Sequence, residues 1–170
     1  MKFKYICLIT ISPLVFVLDQ LTKHLIMQRV EFGARIPVVS GFFDIVYFAN
    51  TGAAFGFLSG ASASWRQPFF YAVMAAALVF IAIYIYKLPA AERLVSVALS
   101  LIVGGIFGNG LDRVRFSQVT DFLSFHIGDK GVGGFYAEWP AFNVADSAIT
   151  VAMVLLIISF IKEGRCKKCS

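Results

Sequence analysis

Phe142-Asn-Val-Ala-Asp146-Ser-Ala-Ile-Thr-Val-Ala-Met-Val-Leu-Leu-Ile-Ile-Ser-Phe-Ile161 decides the fold. A run of this length forms a helix of roughly 30 Å, enough to cross the hydrocarbon core of a bilayer. Its one carboxylate, Asp146, stands a turn inside the apolar run. An ionisable group at that depth is costly in hydrocarbon and marks a functional position. The rest of the chain is therefore searched for groups that could pair with it.

Working outward, the same apolar character recurs. The 170 residues are 59% hydrophobic, with 18 Phe and a mean hydropathy of +0.80. That is too apolar for a soluble domain of this length and reads as one integral membrane domain, residues 1–170. Further spans are expected at about 6–27, 68–86 and 94–111, with the quoted stretch, 142–161, as the fourth. The first apolar run is too long for a secretory signal and no small-residue cleavage site follows it, so it is expected to stay as a span. Gly104, Gly105 and Gly108 on the third span favour close helix packing.

Four spans return both termini to one side. The tails carry Lys2, Lys4, Lys162, Arg165, Lys167 and Lys168, and the short turn between spans two and three adds Lys87 and Arg93. By the positive-inside rule that side is the cytoplasm, and the longer loops 28–67 and 112–141 lie outside. The net charge of +5 is scattered among apolar spans and forms no basic face, which argues against nucleic acid as a partner. Within loop 28–67, Ile36-Pro-Val-Val-Ser and Phe42-Phe-Asp-Ile-Val-Tyr-Phe have the β-branched and aromatic content of strands, punctuated by Gly33, Gly41 and Gly52. A small β element lying against the membrane surface is expected there.

This topology gathers polar residues toward the outer end of the spans. Asn109, Asp112 and Arg113 share a helical face at the end of span three, and Asn143 and Asp146, three apart at the start of span four, are likewise expected on one face. Asp19 and Lys23, four apart on span one, read as a structural ion pair. Asp121 lies in the loop between spans three and four, ahead of a Gly-rich stretch.

Chemistry narrows by type. Cys7, Cys166 and Cys169 sit at the chain ends, so no disulfide framework is implied, and Cys166-x-x-Cys169 is half a zinc pattern that reads better as a reduced thiol pair. His24 and His126 form no ligand-spaced pair and read as loop or interface residues, so no metal is expected. Ser147 has no histidine placed by motif to activate it. Carboxylates remain. Two acids in a dry site share a proton, one taking a proton from water while the other protonates or polarises a carbonyl. Asp121 and Asp146, each where chain enters or leaves the bilayer, are the expected pair. A proton-coupled transporter fits less well, because the acids cluster at one surface and leave no relay across the bilayer. An assembly scaffold would not account for two aspartates flanking an outer loop.

The strings Asp19-Gln-Leu-Thr-Lys23, Asn50-Thr-Gly-Ala-Ala-Phe-Gly56, Gly108-Asn-Gly-Leu-Asp-Arg113, Val119-Thr-Asp-Phe122 and Phe142-Asn-Val-Ala-Asp146 resemble, in order, the motif set of the bacterial lipoprotein signal peptidases, or signal peptidase II. The resemblance covers essentially the whole chain. It implies a mainly α membrane protein of four transmembrane helices with a small extracytoplasmic β-sheet and a loop over the site. The activity implied is aspartic endopeptidase cleavage of prolipoproteins just before a diacylglyceryl-modified cysteine, in the outer leaflet of the cytoplasmic membrane. Asp121 and Asp146 would then be catalytic. Asn50, Gly52, Asn109, Arg113 and Asn143 would line the site, while Asp19, Lys23 and Asp112 would support it. It also implies no cofactor, a monomer among membrane lipids, and susceptibility to globomycin-type inhibitors. Ser117 and Thr120 depart from the family pattern, and the stretch 128–139 is longer and richer in glycine than usual, which suggests a mobile flap.

Overall fold

A computed structural model of the chain describes residues 2–52, 57–128 and 136–166, with side chains to 162. Residues 53–56, most of the proposed flap and the Cys169 end of the tail lie outside the described residues. The order of elements is α1 (Phe3–Arg29), β1 (Arg35–Val39), β2 (Phe43–Asn50), α2 (Ala63–Lys87), α3 (Arg93–Phe116), β3 (Val119–Ile127), β4 (Ala137–Glu138) and α4 (Val144–Cys166). The four helices are each long and apolar enough to cross a membrane. Apolar stretches of α1, α2 and α4 are only 17–22% buried, whereas that of α3 is 61% buried. α3 is thus the inner helix, and large side chains such as Leu14, Phe80 and Phe160 face outward as they would toward lipid.

The chain divides into two compact units. The first comprises Met1–Asp19, Phe70–Gly110 and Val144–Ser170. Its core is Ile81, Ile85 and Leu88 against Val95, Leu99 and Val103. Because lipid removes the hydrophobic drive for helix association, packing here relies on close approach of small residues. A Cβ on Gly104 would lie 2.7 Å from Val15 Cβ and 2.8 Å from Ser12 O, and one on Gly105 would lie 2.8 Å from Ala145 O. Ser12 Oγ adds a hydrogen bond to Ser100 O at 2.8 Å. At the other end of α1, the buried Lys4 donates to Ile85 O (2.6 Å), Tyr86 O (3.0 Å) and Leu88 O (2.7 Å). These are carbonyls of the last turn of α2, ahead of Pro89, where a cation both satisfies orphan acceptors and opposes the helix dipole.

The second unit comprises Gln20–Phe69 and Leu111–Asn143. It holds an antiparallel sheet in the order β1-β2-β3-β4, with register pairs Ile36↔Ile45, Phe43↔Phe125, Phe48↔Asp121 and His126↔Glu138. The strands expected within 28–67 form only half of this sheet. The other half, Val119–Ile127 and Ala137–Glu138, comes from the segment expected as loop, so Asp121 stands on a strand. Val-Thr-Asp-Phe-Leu-Ser-Phe-His-Ile is rich in β-branched and aromatic residues and pairs with β2 across a long sequence separation.

Candidate active site

Helix limits set where the polar residues stand. α3 continues to Phe116, so Asp112 and Arg113 lie within its last turns. α4 starts at Val144, so Asn143 precedes the helix, not sharing a helical face with Asp146 as expected. Asp146 occupies the first turn, where a carboxylate complements the free N–H groups.

In the second unit Asp121 is buried on β3 and held by two amides. Asn50 Nδ2 donates to Asp121 Oδ2 at 3.0 Å, and Asn143 Nδ2 donates to Asp121 Oδ1 at 2.8 Å. The amide orientations follow from their other bonds. Asn50 Oδ1 accepts the Gly52 N–H at 3.0 Å, which turns Nδ2 to the carboxylate. Asn143 Nδ2 also reaches Thr120 O at 3.3 Å, so its nitrogen faces two acceptors. Arg113 Nη2 donates to Gly52 O at 2.6 Å and so ties the chain after β2 to α3.

Asp112 is the hinge of the support. Its Oδ1 accepts Gln20 Nε2 at 2.9 Å, while its Oδ2 pairs with Lys23 Nζ at 2.9 Å and accepts Thr120 N–H at 3.2 Å. One buried carboxylate therefore joins α1, α3 and the residue preceding Asp121. Gln20 was not singled out from sequence, although it sits between Asp19 and Lys23, the two polar positions that were.

In the first unit Asn109 Nδ2 donates to Asp146 Oδ1 at 2.8 Å. Asp19, fully buried, accepts the Ala145 N–H through Oδ1 at 3.0 Å and so caps the start of α4. Gly108 makes room for it: a Cβ there would lie 2.5 Å from Asp19 Oδ2. Asp19 thus supports the turn that carries Asp146, while Lys23 pairs with Asp112.

A charged row on the sheet went unread in the sequence. Asp44 and Ser124 are cross-strand neighbours, and Arg35 Nη1 reaches both, at 2.6 Å and 3.2 Å. Arg35 Nη2 pairs with Glu138, which also accepts from Ser124 Oγ (2.7 Å) and Tyr136 OH (2.7 Å). His126 Nε2 lies 3.0 Å from Asp44 Oδ2, and its Nδ1 is 2.9 Å from Gly128 O. Burial would raise the Glu138 carboxyl, but hydrogen bonds from Arg35, Tyr136 and Ser124 and the Arg35 charge outweigh it and bring it down to about 2. Burial is likewise outweighed at Asp44 by Arg35 and His126, which hold it below the ordinary carboxylate range. By strand alternation Ser124 and His126 face away from the side of β3 that bears Asp121. The legible signal was Asp44, an acid at an inward position of an apolar alternating run.

Among the described residues no cluster of His, Cys, Asp and Glu could hold a metal ion. The four apolar helices and the small antiparallel sheet define a multi-pass membrane protein. Comparison with known proteins gives the particular group: the family described as signal peptidase (SPase) II matches residues 11–162, and the chain belongs to it. Lipoprotein signal peptidases from Syntrophotalea carbinolica (43% identical, covering 92% of this chain and 92% of that one) and Geobacter metallireducens (44%, covering 97% and 96%) are similar throughout. A solved bacterial membrane enzyme has the same fold, with a TM-score of 0.77 at 32% identity over 92% of this chain and 88% of that chain. The family is one of peptidases, hydrolases of the membrane.

Proposed function

We propose that residues 1–170 form one aspartic endopeptidase that removes signal peptides from diacylglyceryl-modified prolipoproteins, cutting just before the modified cysteine. The observation that carries this reading is the pair of amides on Asp121, one to each carboxylate oxygen. N–H donors favour the ionised form of a carboxylate, as a general base requires. Asp121 takes a proton from water as the water oxygen attacks the scissile carbonyl. Asp146, oriented by Asn109 and carrying the proton of the pair, protonates the carbonyl oxygen to give a tetrahedral diol; as the C–N bond breaks, the proton gained by Asp121 passes to the leaving nitrogen and one hydroxyl of the diol returns its proton to Asp146 as the carbonyl re-forms. Arg113 and Gly52 support the chain that would face substrate.

The same reading places the enzyme in the cytoplasmic membrane with both termini inside and the site at the outer surface. It acts as a monomer without a cofactor, and globomycin-type inhibitors compete for its site. Stretch 128–139 serves as a flap over bound substrate. Cleavage of a diacylglyceryl-modified prolipoprotein by purified protein in detergent tests the chemistry, comparing wild type with Asp121→Asn and Asp146→Asn. Each variant keeps size and removes charge, so loss of turnover with folding intact supports the pair. Near-normal cutting by either variant would remove that aspartate from the mechanism.

A further inference from the structure

One end of the sheet presents large apolar side chains that the peptidase chemistry does not use. Val38 is 56% exposed, Val39 50%, Phe42 52%, Ile127 64% and Trp139 60%. Backbone bonds knit them into one tip. His126 N–H donates to Phe42 O at 2.8 Å, Gly128 N–H to Gly41 O at 3.1 Å, and Trp139 N–H to Phe125 O at 2.8 Å. The Phe42 and Phe125 rings meet edge to face, 5.5 Å apart. The tip lies at the Phe43 end of β2, whereas Asn50 and its partner Asp121 lie at the other end, roughly 23 Å along the strand.

Soluble surfaces rarely gather such side chains without a purpose. Two observations select the occupant. The compact unit that contains the sheet also contains the ends of three spans: α1 from Gln20, α2 to Phe69 and α3 from Leu111. The sheet therefore sits where those helices leave the hydrocarbon. Second, the described residues of the tip carry no charge: Val38 to Phe42, Ile127, Gly128 and Trp139 are all neutral, and the nearby ions Arg35, Asp44, His126 and Glu138 are engaged with one another. A neutral apolar tip with an exposed indole suits the lipid interface, where Trp is enriched, better than a charged protein partner.

We propose that this tip inserts into the bilayer surface and anchors the sheet there, independently of the helices. The chain has two Trp, so Trp65→Phe leaves Trp139 as the only indole. The full-length variant is reconstituted in phosphatidylcholine vesicles with acyl chains brominated near the headgroup. Trp139 fluorescence is expected to fall at least twofold with bromolipid and to resist aqueous iodide. A second variant, Val38→Asp with Val39→Asp, is expected to reverse both responses. Quenching by iodide and not by bromolipid in the first variant would overturn the proposal. So would shielding from both quenchers, which would mean that protein covers the tip.

Discussion

Gly108→Ala tests the packing beneath Asp146 directly. A Cβ at this position would stand 2.5 Å from Asp19 Oδ2, 3.0 Å from Asp19 Cγ and 3.2 Å from Ala145 Cβ. The first of these is shorter than real Cβ contacts, so the Asp19 carboxylate, which also lies 3.0 Å from the Ala145 N–H, must shift. The side chain has two ways out. It can hold its hydrogen bond and carry the strain, which costs about 1–3 kcal/mol for an extra methyl in a packed core. Or it can swing away and leave a helix-terminal N–H without its charged acceptor, which costs about 1.5–3 kcal/mol. Either route lowers stability by about 1–3 kcal/mol, or a fall in Tm of about 2–12 °C for a chain of this length. Reversible unfolding in detergent micelles measures it. The control is Asp19→Ala, which removes the oxygen that the methyl would strike. In that background Gly108→Ala should cost less than about 1 kcal/mol, so the double-mutant cycle should show coupling of about 1–2 kcal/mol. A cost below about 0.5 kcal/mol for Gly108→Ala alone, or strict additivity of the two changes, would refute this account of why glycine occupies the position.

Other perturbations read other parts of the centre. Asn143→Ala removes a 2.8 Å bond to the Asp121 carboxylate, so kcat should fall by about 10–100-fold with KM little changed; an unchanged kcat would detach this amide from the mechanism. Lys23→Met leaves the buried Asp112 carboxylate without its cation and should destabilise the protein by about 3–5 kcal/mol in detergent unfolding. Glu138, held at about 2 against an ordinary 4.5, binds fewer protons in the folded chain than in the unfolded one between those values. Its contribution is therefore complete above pH 4.5 and is lost as pH falls toward 2. The gap corresponds to about 3 kcal/mol at most, and solvent screening at a side chain 22% exposed reduces it to about 1–2 kcal/mol. Arg35→Met should flatten this acid dependence, and an unaltered slope of stability against pH would show that Arg35 does not hold Glu138 down.

Legibility followed the range of the interactions. Each helix could be read because the apolar run of a span is continuous and local; α1, α2 and α3 include the expected stretches, and α4 begins two residues later than expected, at Val144. Helix ends were less legible, since α3 runs on through Asp112 and Arg113 to Phe116 under the support of tertiary contacts. β3 is not legible locally because its partner β2 lies far away in the chain. The charged row escaped for the same reason: Arg35, Asp44, His126 and Glu138 come from four strands and share no sequence spacing. The spacing of four places Asp19 and Lys23 on one face of α1, but their Ala145 and Asp112 partners follow from no spacing along the chain.

Sequence by itself determined the class of protein and the number of spans, because burying apolar runs in lipid depends only on composition and length. The tertiary structure alone decided which oxygen each amide serves, that Asn143 turns to Asp121, that Asp19 caps α4 beneath a glycine and that the sheet is built from two loops. Hydrogen bonds are directional and short, so their partners are chosen by the packing of distant segments and not by spacing along the chain.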